Sequence, residues 1–176
     1  RLENKRKQQI NRTLKYGVTL QEAQTEKETN MLLQLLKRHD SSKLRKHFPD
    51  TKLFQLLTQG STTGNISRIF TVKYKNRIIG GSFCMYSCDR AYLCFSFGLR
   101  KTFALLHPNT MAIWAALFDA YQRGYQHFEF IDAGLPYQKV GYRNFILSFG
   151  GKQVSTRRWF RFRWEWLNKL FTRLYQ

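Results

Sequence analysis

The chain has 176 residues, of which 43% are hydrophobic and 16% aromatic, and this length and composition exclude a disordered chain and allow one domain with a sizeable core. Thirty Lys and Arg residues against eleven Asp and Glu give a formal net charge of +19, so we expect an anionic partner or substrate. No apolar run approaches the roughly 20 residues of a membrane-spanning helix, and the start shows no signal-peptide pattern.

The first predicted element is a strongly basic helix. Residues 3–16 are expected to form it, and Gly17 is expected to end it because glycine readily takes the left-handed conformation that closes a helix. Few of its positions are apolar, so the helix has little to bury and many cations to present. Lys5 and Arg6 are therefore candidates for substrate binding. A short strand over residues 18–23 is expected to follow.

Two further helices are predicted next. Thr25 and Glu28 have the spacing of a capping box, in which each side chain bonds the backbone of the other residue. They are expected to open a helix that runs through Leu36. A polar break over residues 39–49 then leads to a short helix around Leu53.

The middle of the chain changes to an alternating hydrophobic pattern, which is typical of half-buried strands. Turn residues at Asn76 and at positions 89–90 divide the pattern into three strands, so an antiparallel meander is predicted. The third strand is expected to place Leu93, Phe95 and Phe97 on one face of the sheet.

The remaining elements alternate between helices and strands. A helix over residues 109–123 is expected to end at Gly124, and residues 128–131 predict a short strand. A helix over residues 137–149, a strand over residues 157–164 and a short amphipathic helix complete the chain. These elements predict a single α/β (α+β) domain with a central mixed, largely antiparallel sheet flanked by helices.

The loop after the meander is the first candidate site. It carries Arg100, Lys101 and His107 and leads into a helix whose first turn holds Asn109 and Thr110. Helix N-termini present unpaired N–H groups and a partial positive charge, which suits phosphate. These five residues are therefore predicted to bind the phosphates of a donor. Solvated cations on an ordinary strand-to-helix loop are the alternative.

The second candidate site begins where the next strand ends, at Asp132. Tyr137 and Tyr142 follow on the predicted helix, with Lys139 and Arg143 beside them. A carboxylate near a tyrosine can move a proton during acyl transfer to an amine. Asp132 and the two tyrosines are accordingly the catalytic candidates, and the two neighbouring cations are candidates for substrate binding. Alternatively, Asp132 caps a turn and Tyr142 fills the core.

The sequence contains no motif for metal or covalent chemistry. It has no nucleophile elbow, P-loop, dinucleotide fingerprint or HExxH pattern, and its four histidines lack ligand spacing, so no metal is expected. Cys84, Cys88 and Cys94 are interpreted as buried, reduced thiols of a cytoplasmic protein. Direct transfer between two bound substrates therefore fits better than a covalent enzyme intermediate.

The order of the predicted elements resembles the GCN5-related N-acetyltransferase (GNAT) fold. Three stretches are similar to its Fem-like branch, which contains peptidoglycan aminoacyltransferases and related acyltransferase domains. They are the basic helix and strand over residues 4–18, the stretch over residues 107–132 and the stretch over residues 141–151. The resemblance covers most of residues 4–151.

This resemblance implies transfer of an acyl or aminoacyl group onto an amine. The donor would be acyl-CoA or, as in Fem-like enzymes, aminoacyl-tRNA. The glycine-containing pyrophosphate loop of acetyl-CoA-dependent members is not found between Arg100 and Thr110, and Ile146 stands where the branch often has Lys. Fem-like proteins also pair two such domains, so this single domain over residues 1–176 could be the C-terminal half of a longer protein.

Two other interpretations remain open. A non-catalytic module of the same fold could bind RNA through a predicted strand in which cations alternate with aromatic residues, including Arg157, Trp159 and Trp164. A membrane-surface protein could use the terminal run over residues 164–171, which mixes interfacial aromatic residues with cations. Packing of that terminal helix against the domain would explain the same pattern.

Overall fold

The computed structural model describes residues 2–23, 25–41, 66–131, 141–154 and 162–174. The helices are α1 (Asn4–Lys15), α2 (Glu26–Ser41), α3 (Pro108–Gln122), α4 (Gly141–Leu147) and α5 (Glu165–Leu174), and Ala104–Leu106 form a 3₁₀ turn. The strands are β1 (Thr19–Glu22), β2 (Ser67–Tyr74), β3 (Arg77–Ser87), β4 (Arg90–Gly98) and β5 (His127–Phe130). In this part of the chain, the structure contains no helix with the length and apolar character that crossing a membrane requires.

The strands form one mixed sheet in the order β1-β2-β3-β4-β5. Neighbours from β1 to β4 are antiparallel, whereas β5 runs parallel to β4. A parallel pair needs a crossover connection, and α3 supplies it between β4 and β5. The predicted mixed, largely antiparallel sheet with flanking helices is therefore confirmed.

Local sequence signals explain several boundaries. Lys75 and Asn76 have φ angles of 47° and 60°, and two successive left-handed residues are what a tight type I′ hairpin turn requires. Gly17, with φ of 81°, follows the end of α1 as predicted. The Glu28 backbone N–H donates to Thr25 Oγ1 over 3.2 Å, so the predicted capping residue opens α2.

Helices cover both faces of the sheet. On one face, α2 packs over the central strands, and the buried residues there are Leu32, Leu33, Leu36, Ile69, Phe83 and Phe97. On the other face lie α1, α3 and α4. The buried residues of that face include Ile10, Val18, Phe70, Val72, Ile79, Cys84, Leu93, Met111, Ile113, Ala116 and Phe149.

A β-bulge in β4 interrupts the alternation of side chains between the two faces of the sheet that the sequence predicts. The pairing of β4 with β3 skips Cys94, and one extra residue reverses the face to which each later side chain points. Leu93 consequently packs in the core on the α3 side, whereas Phe95 and Phe97 pack on the α2 side. The prediction that these three residues share one face was wrong, because simple alternation cannot reveal an inserted residue.

The C-terminal region differs from the prediction in one element. Phe162–Trp164 do not form the predicted strand but lead directly into α5, while the earlier part of that strand, residues 157–161, lies outside the described residues. The predicted terminal amphipathic helix is confirmed as α5. The helix predicted around Leu53 and the start of the helix predicted over residues 137–149 also lie outside the described residues.

Candidate active site

The parallel strands β4 and β5 stay together for only half the length of β4. Their pairing ends with Leu93 opposite Phe130, and the Ile131 N–H donates to the Leu93 carbonyl over 3.3 Å. From Phe95 to Gly98, β4 pairs with β3 on one side, and no described strand lies on its other side. This open edge of β4 can bond an extended ligand through its backbone.

The end of β4 lies unusually close to the N-terminus of α3. A Cβ atom on Gly98 would lie 2.5 Å from the Asn109 nitrogen and 2.7 Å from the Pro108 carbonyl carbon. On β3, a Cβ atom on Gly80 would lie 2.9 Å from the Phe97 carbonyl oxygen and 3.2 Å from that of Pro108. Glycine is required at such a close backbone approach. The open edge of β4 and the first turn of α3 therefore meet at Gly98.

The first turn of α3 leaves hydrogen-bonding groups available. His107 precedes the helix with φ of 41°, and its carbonyl accepts from the Met111 N–H over 3.1 Å. Pro108 has no N–H, so the amides of Asn109 and Thr110 are the ones that precede the first intrahelical bond. The Oδ1 atom of Asn109 is buried without a hydrogen-bond partner in the described part of the chain, and it packs against Gly98, where an added Cβ would collide with it.

Two cations occupy the turn that follows β4. The Arg100 N–H donates to the Gly98 carbonyl over 2.7 Å, which holds the chain in a tight turn at the strand end. The side chains of Arg100 and Lys101 are exposed. Neither forms an ion pair with an acidic side chain among the described residues. Both charges are thus available to an anionic ligand.

Further positive charge comes from α1. Burial, followed by the positive charges of Arg6 and Arg12, lowers the pKa of His107 below its ordinary value. His107 is therefore neutral at pH 7. The His107 carbonyl accepts the first hydrogen bond of α3. The positive charges of α1 therefore also raise the electrostatic potential at the first turn of that helix.

Arg6 connects α1 to the region of α4. Its Nε donates to Ser148 Oγ over 2.7 Å, its Nη1 donates to Gln9 Oε1 over 2.6 Å, and its guanidinium carbon lies 4.6 Å from the centre of the Phe145 ring. Burial lowers the pKa of Arg6. These contacts give Arg6 a role in joining the two helices, whereas the neighbouring Lys5 is exposed.

Tyr142, on α4, reaches the open edge of β4. Its hydroxyl lies 3.4 Å from Ser96 Oγ, with either oxygen able to donate. Ser96 precedes Gly98 by two residues, so the phenol lies near the point where β4 meets α3. The side chain of Tyr142 is 38% exposed and remains accessible to a substrate, while the adjacent Arg143 is half-buried.

Buried cysteines provide no thiolate at this site. Burial raises the pKa of Cys84 well above its ordinary value and raises the pKa of Cys94 to about 11, so both remain protonated thiols at neutral pH. The prediction that all three cysteines are buried was wrong for Cys88, which is exposed because it lies in the two-residue turn between β3 and β4, at the opposite end of β4 from Gly98. Cys84 and Cys94 therefore provide no thiolate, and Cys88 lies away from this site.

The structure brings together part of the predicted site. His107, Asn109 and Thr110 lie at the start of α3, and Arg100 and Lys101 lie in the turn before it. Gly98 and Ser96 were not among the site residues predicted from the sequence. A glycine at the end of a strand is a known signal of close backbone approach, whereas Ser96 carries no such signal. The remaining predicted residues, Asp132, Tyr137 and Lys139, lie outside the described residues.

The fold is shared with solved structures that include a predicted acetyltransferase. AAC(6')-Iy in complex with the bisubstrate analogue CoA-S-monomethyl-acetylneamine is 13% identical, with a TM-score of 0.62 over 83% of this chain and 98% of that chain. A predicted acetyltransferase from Clostridium acetobutylicum, solved with acetyl-CoA, is 13% identical, with a TM-score of 0.58 over 83% and 96%. A transcriptional regulator from Bacillus halodurans C-125 is 15% identical, with a TM-score of 0.60 over 82% and 99%.

The sequence itself assigns the family. Residues 4–139 match the Acetyltransferase (GNAT) domain model, which is more than half of the chain. The chain therefore belongs to the GNAT acetyltransferase family, as the resemblance had indicated, and this membership supports acyl transfer as the general class of reaction. No curated protein matches the chain.

Proposed function

We propose that this protein transfers an acyl group from acyl-CoA to an amine by direct attack of the amine on the thioester. The observation that carries the proposal is the position of the Tyr142 hydroxyl, 3.4 Å from Ser96 Oγ on the open edge of β4. That edge ends at Gly98, beside the first turn of α3. The proposed phosphate-binding end and the proposed proton donor, Tyr142, would thus lie along one strand edge.

The donor would be held by the end of β4 and the start of α3. Arg100 and Lys101, with the amides of Asn109 and Thr110, would bind its phosphates by charge and hydrogen bonding. The open edge of β4 would bond its amide-containing arm as an added strand. The exposure of Arg100 and Lys101, neither of which forms an ion pair with a described acid, supports the fit.

Bound acyl-CoA supplies an activated thioester, and the protein supplies position and proton transfer. Tyr142 holds the proton that the leaving sulfur takes up, and Asp132, predicted from the sequence, would accept a proton from the attacking amine. Amine attack forms the C–N bond as the C–S bond breaks, so the acyl group never resides on the protein. The acceptor would lie near Tyr137, Lys139 and Arg143, with Lys5 and Arg6 providing further positive charge.

The Fem-like branch and an aminoacyl-tRNA donor rest on the sequence resemblance alone. We propose acyl-CoA in preference, because two structural neighbours were solved with acetyl-CoA or a CoA bisubstrate analogue. The open edge of β4 also suits the extended arm of that donor. The experiment below separates the two donors, since only an acyl-CoA enzyme releases a thiol during transfer.

The test is a thiol-release assay with acetyl-CoA and a panel of primary amines, comparing the unaltered protein with Tyr142→Phe. Loss of a general acid is expected to lower kcat by about 10²- to 10⁴-fold while leaving acetyl-CoA affinity unchanged. Tyr121→Phe is the matched control, because Tyr121 is 80% exposed on α3 and does not face the open edge. Equal kcat values for Tyr142→Phe and the unaltered protein would reject the role of Tyr142.

A further inference from the structure

The C-terminal helix α5 has an apolar face on which the described side chains of Trp166 and Leu170 are exposed and that of Leu167 is half-buried. Trp166, Leu167 and Leu170 recur at helical spacing on one side, whereas Glu165 and Lys169 fall on the other. Trp166 is 63% exposed and Leu170 is 48% exposed. A core-packing helix would bury these side chains, so α5 presents an amphipathic surface to its surroundings.

Two hydrogen bonds hold the segment before α5 against the helix, and this segment contains a second exposed tryptophan. The Phe162 N–H donates to Asn168 Oδ1 over 2.7 Å, and Asn168 Nδ2 donates to the Phe162 carbonyl over 2.9 Å. This pair of bonds folds the segment back onto the first turns of the helix. Trp164 is consequently held at the start of α5 with 61% of its surface exposed.

Both tryptophans lie at the N-terminal end of α5. Trp164 directly precedes the helix, which begins at Glu165, whereas Trp166, Leu167 and Leu170 fall within about 100° of one another around the axis at 100° per residue. Tryptophan favours the boundary between hydrocarbon and water, because its ring is apolar and its N–H is polar. An exposed apolar face that carries tryptophan suits a helix that lies in the plane of a membrane surface.

The positive charge around α5 favours a membrane that contains anionic lipids. Residues 152–176 contain seven Lys and Arg residues against a single acid, Glu165, and Lys152, Arg163 and Lys169 are exposed. Such a basic segment is attracted to anionic lipid headgroups. A nucleic acid would use the same cations and could stack on the tryptophans, but it would leave the leucine centre of the face in water.

We propose that α5 and the segment from Phe162 dock this protein onto an anionic membrane surface, with Trp164, Trp166 and Leu170 inserted at the headgroup boundary. The helix lies in the interface and does not span it, since its 10 residues are about half of the number that a bilayer requires. This docking is independent of the acyl-transfer proposal, because it uses no residue of the candidate active site.

The experiment is sedimentation of the full chain with vesicles of phosphatidylcholine alone and with vesicles that also contain phosphatidylglycerol. We expect binding to the anionic vesicles that weakens with added salt, because screening reduces charge attraction. The double variant Trp164→Ala/Trp166→Ala should bind at least about tenfold more weakly. Tyr121→Ala is the control, since it removes another exposed aromatic side chain without a change in charge, and it should bind normally.

Quenching by lipids brominated on their acyl chains gives a second measurement, because only an inserted tryptophan lies close to those bromines. Quenching should be lost in the double variant, and its thermal unfolding should match that of the unaltered protein because both tryptophans are exposed. Equal binding by the double variant would overturn the proposal in favour of charge attraction alone. Absence of vesicle binding, with dimerisation or RNA binding that depends on the tryptophans, would also overturn it.

Discussion

The two ends of helix α3 carry opposite charges, and among the described residues only the charge at the C-terminal end is paired. Near the C-terminus, Asp119 accepts from the Tyr86 hydroxyl over 2.9 Å and from Arg123 Nε over 3.1 Å, and Arg68 lies 3.9 Å away. Burial raises the pKa of Tyr86 above its ordinary range, so Tyr86 remains a neutral donor. At the N-terminus, Arg100 and Lys101 form no ion pair with the described residues.

Both arrangements oppose the helix dipole. An acid near a helix C-terminus and cations near an N-terminus are each unfavourable. Arg68 and Arg123 offset the charge of Asp119, whereas Arg100 and Lys101 have no such compensation from a described acid. We therefore expect the C-terminal end to stabilise the fold, and we propose that the N-terminal end binds an anion such as a donor phosphate.

The largest effect is expected from removing the acid at the C-terminal end. Asp119→Ala leaves the Tyr86 hydroxyl and the largely buried Arg68 guanidinium with fewer partners, so the free energy of unfolding should fall by about 3 kcal/mol. Urea denaturation measures this change. Glu129→Ala is the control, because its pair with Arg90 is exposed and its loss should change little. Similar stability of the two variants would contradict a structural role for Asp119.

The next effect is expected at the contact between β4 and α3. Gly98→Ala introduces a Cβ 2.5 Å from the Asn109 nitrogen, which must push the strand and the helix apart and should cost about 1–3 kcal/mol of stability. Acetyl-CoA affinity, measured by calorimetry, should fall together with stability because the binding groups move. Gly151→Ala provides the control, since nothing lies within 4 Å of its added Cβ, and unchanged affinity in Gly98→Ala would disprove the coupling.

The smallest effect is expected from His107. Its pKa in the folded state is lowered, so between that value and the unfolded value of about 6.5 the unfolded chain binds more protons. Stability contributed by neutral His107 is therefore present above pH 6.5 and is lost as the pH falls below it, by less than about 0.5 kcal/mol because solvent screens the site. Asparagine tolerates the left-handed backbone conformation of position 107. The variant His107→Asn should therefore flatten this part of the pH–stability curve. An unchanged slope would exclude His107 as its source.

Local features of the fold could be predicted from the sequence because their causes are local. Gly17 ends α1 and the Lys75-Asn76 turn joins β2 to β3 through backbone preferences that a few residues determine. The bulge at Cys94 could not be predicted, because an inserted residue leaves a hydrophobic pattern that looks regular. The candidate site could likewise be predicted only in part. The cations before α3 follow one another in the sequence, whereas the approach of Tyr142 to Ser96 depends on where β5 leaves β4.

The central claim is that the N-terminal end of α3 binds the donor phosphates, and calorimetric titration with acetyl-CoA tests it most directly. Arg100→Ala/Lys101→Ala is compared with Arg163→Ala/Lys169→Ala, which removes the same charge from α5 and the segment before it. The first variant should bind acetyl-CoA about tenfold more weakly, a loss of about 1.4 kcal/mol, and the second should bind like the unaltered protein. Equal affinities of the two variants would contradict the account, because the position of the cations would then be irrelevant to donor binding.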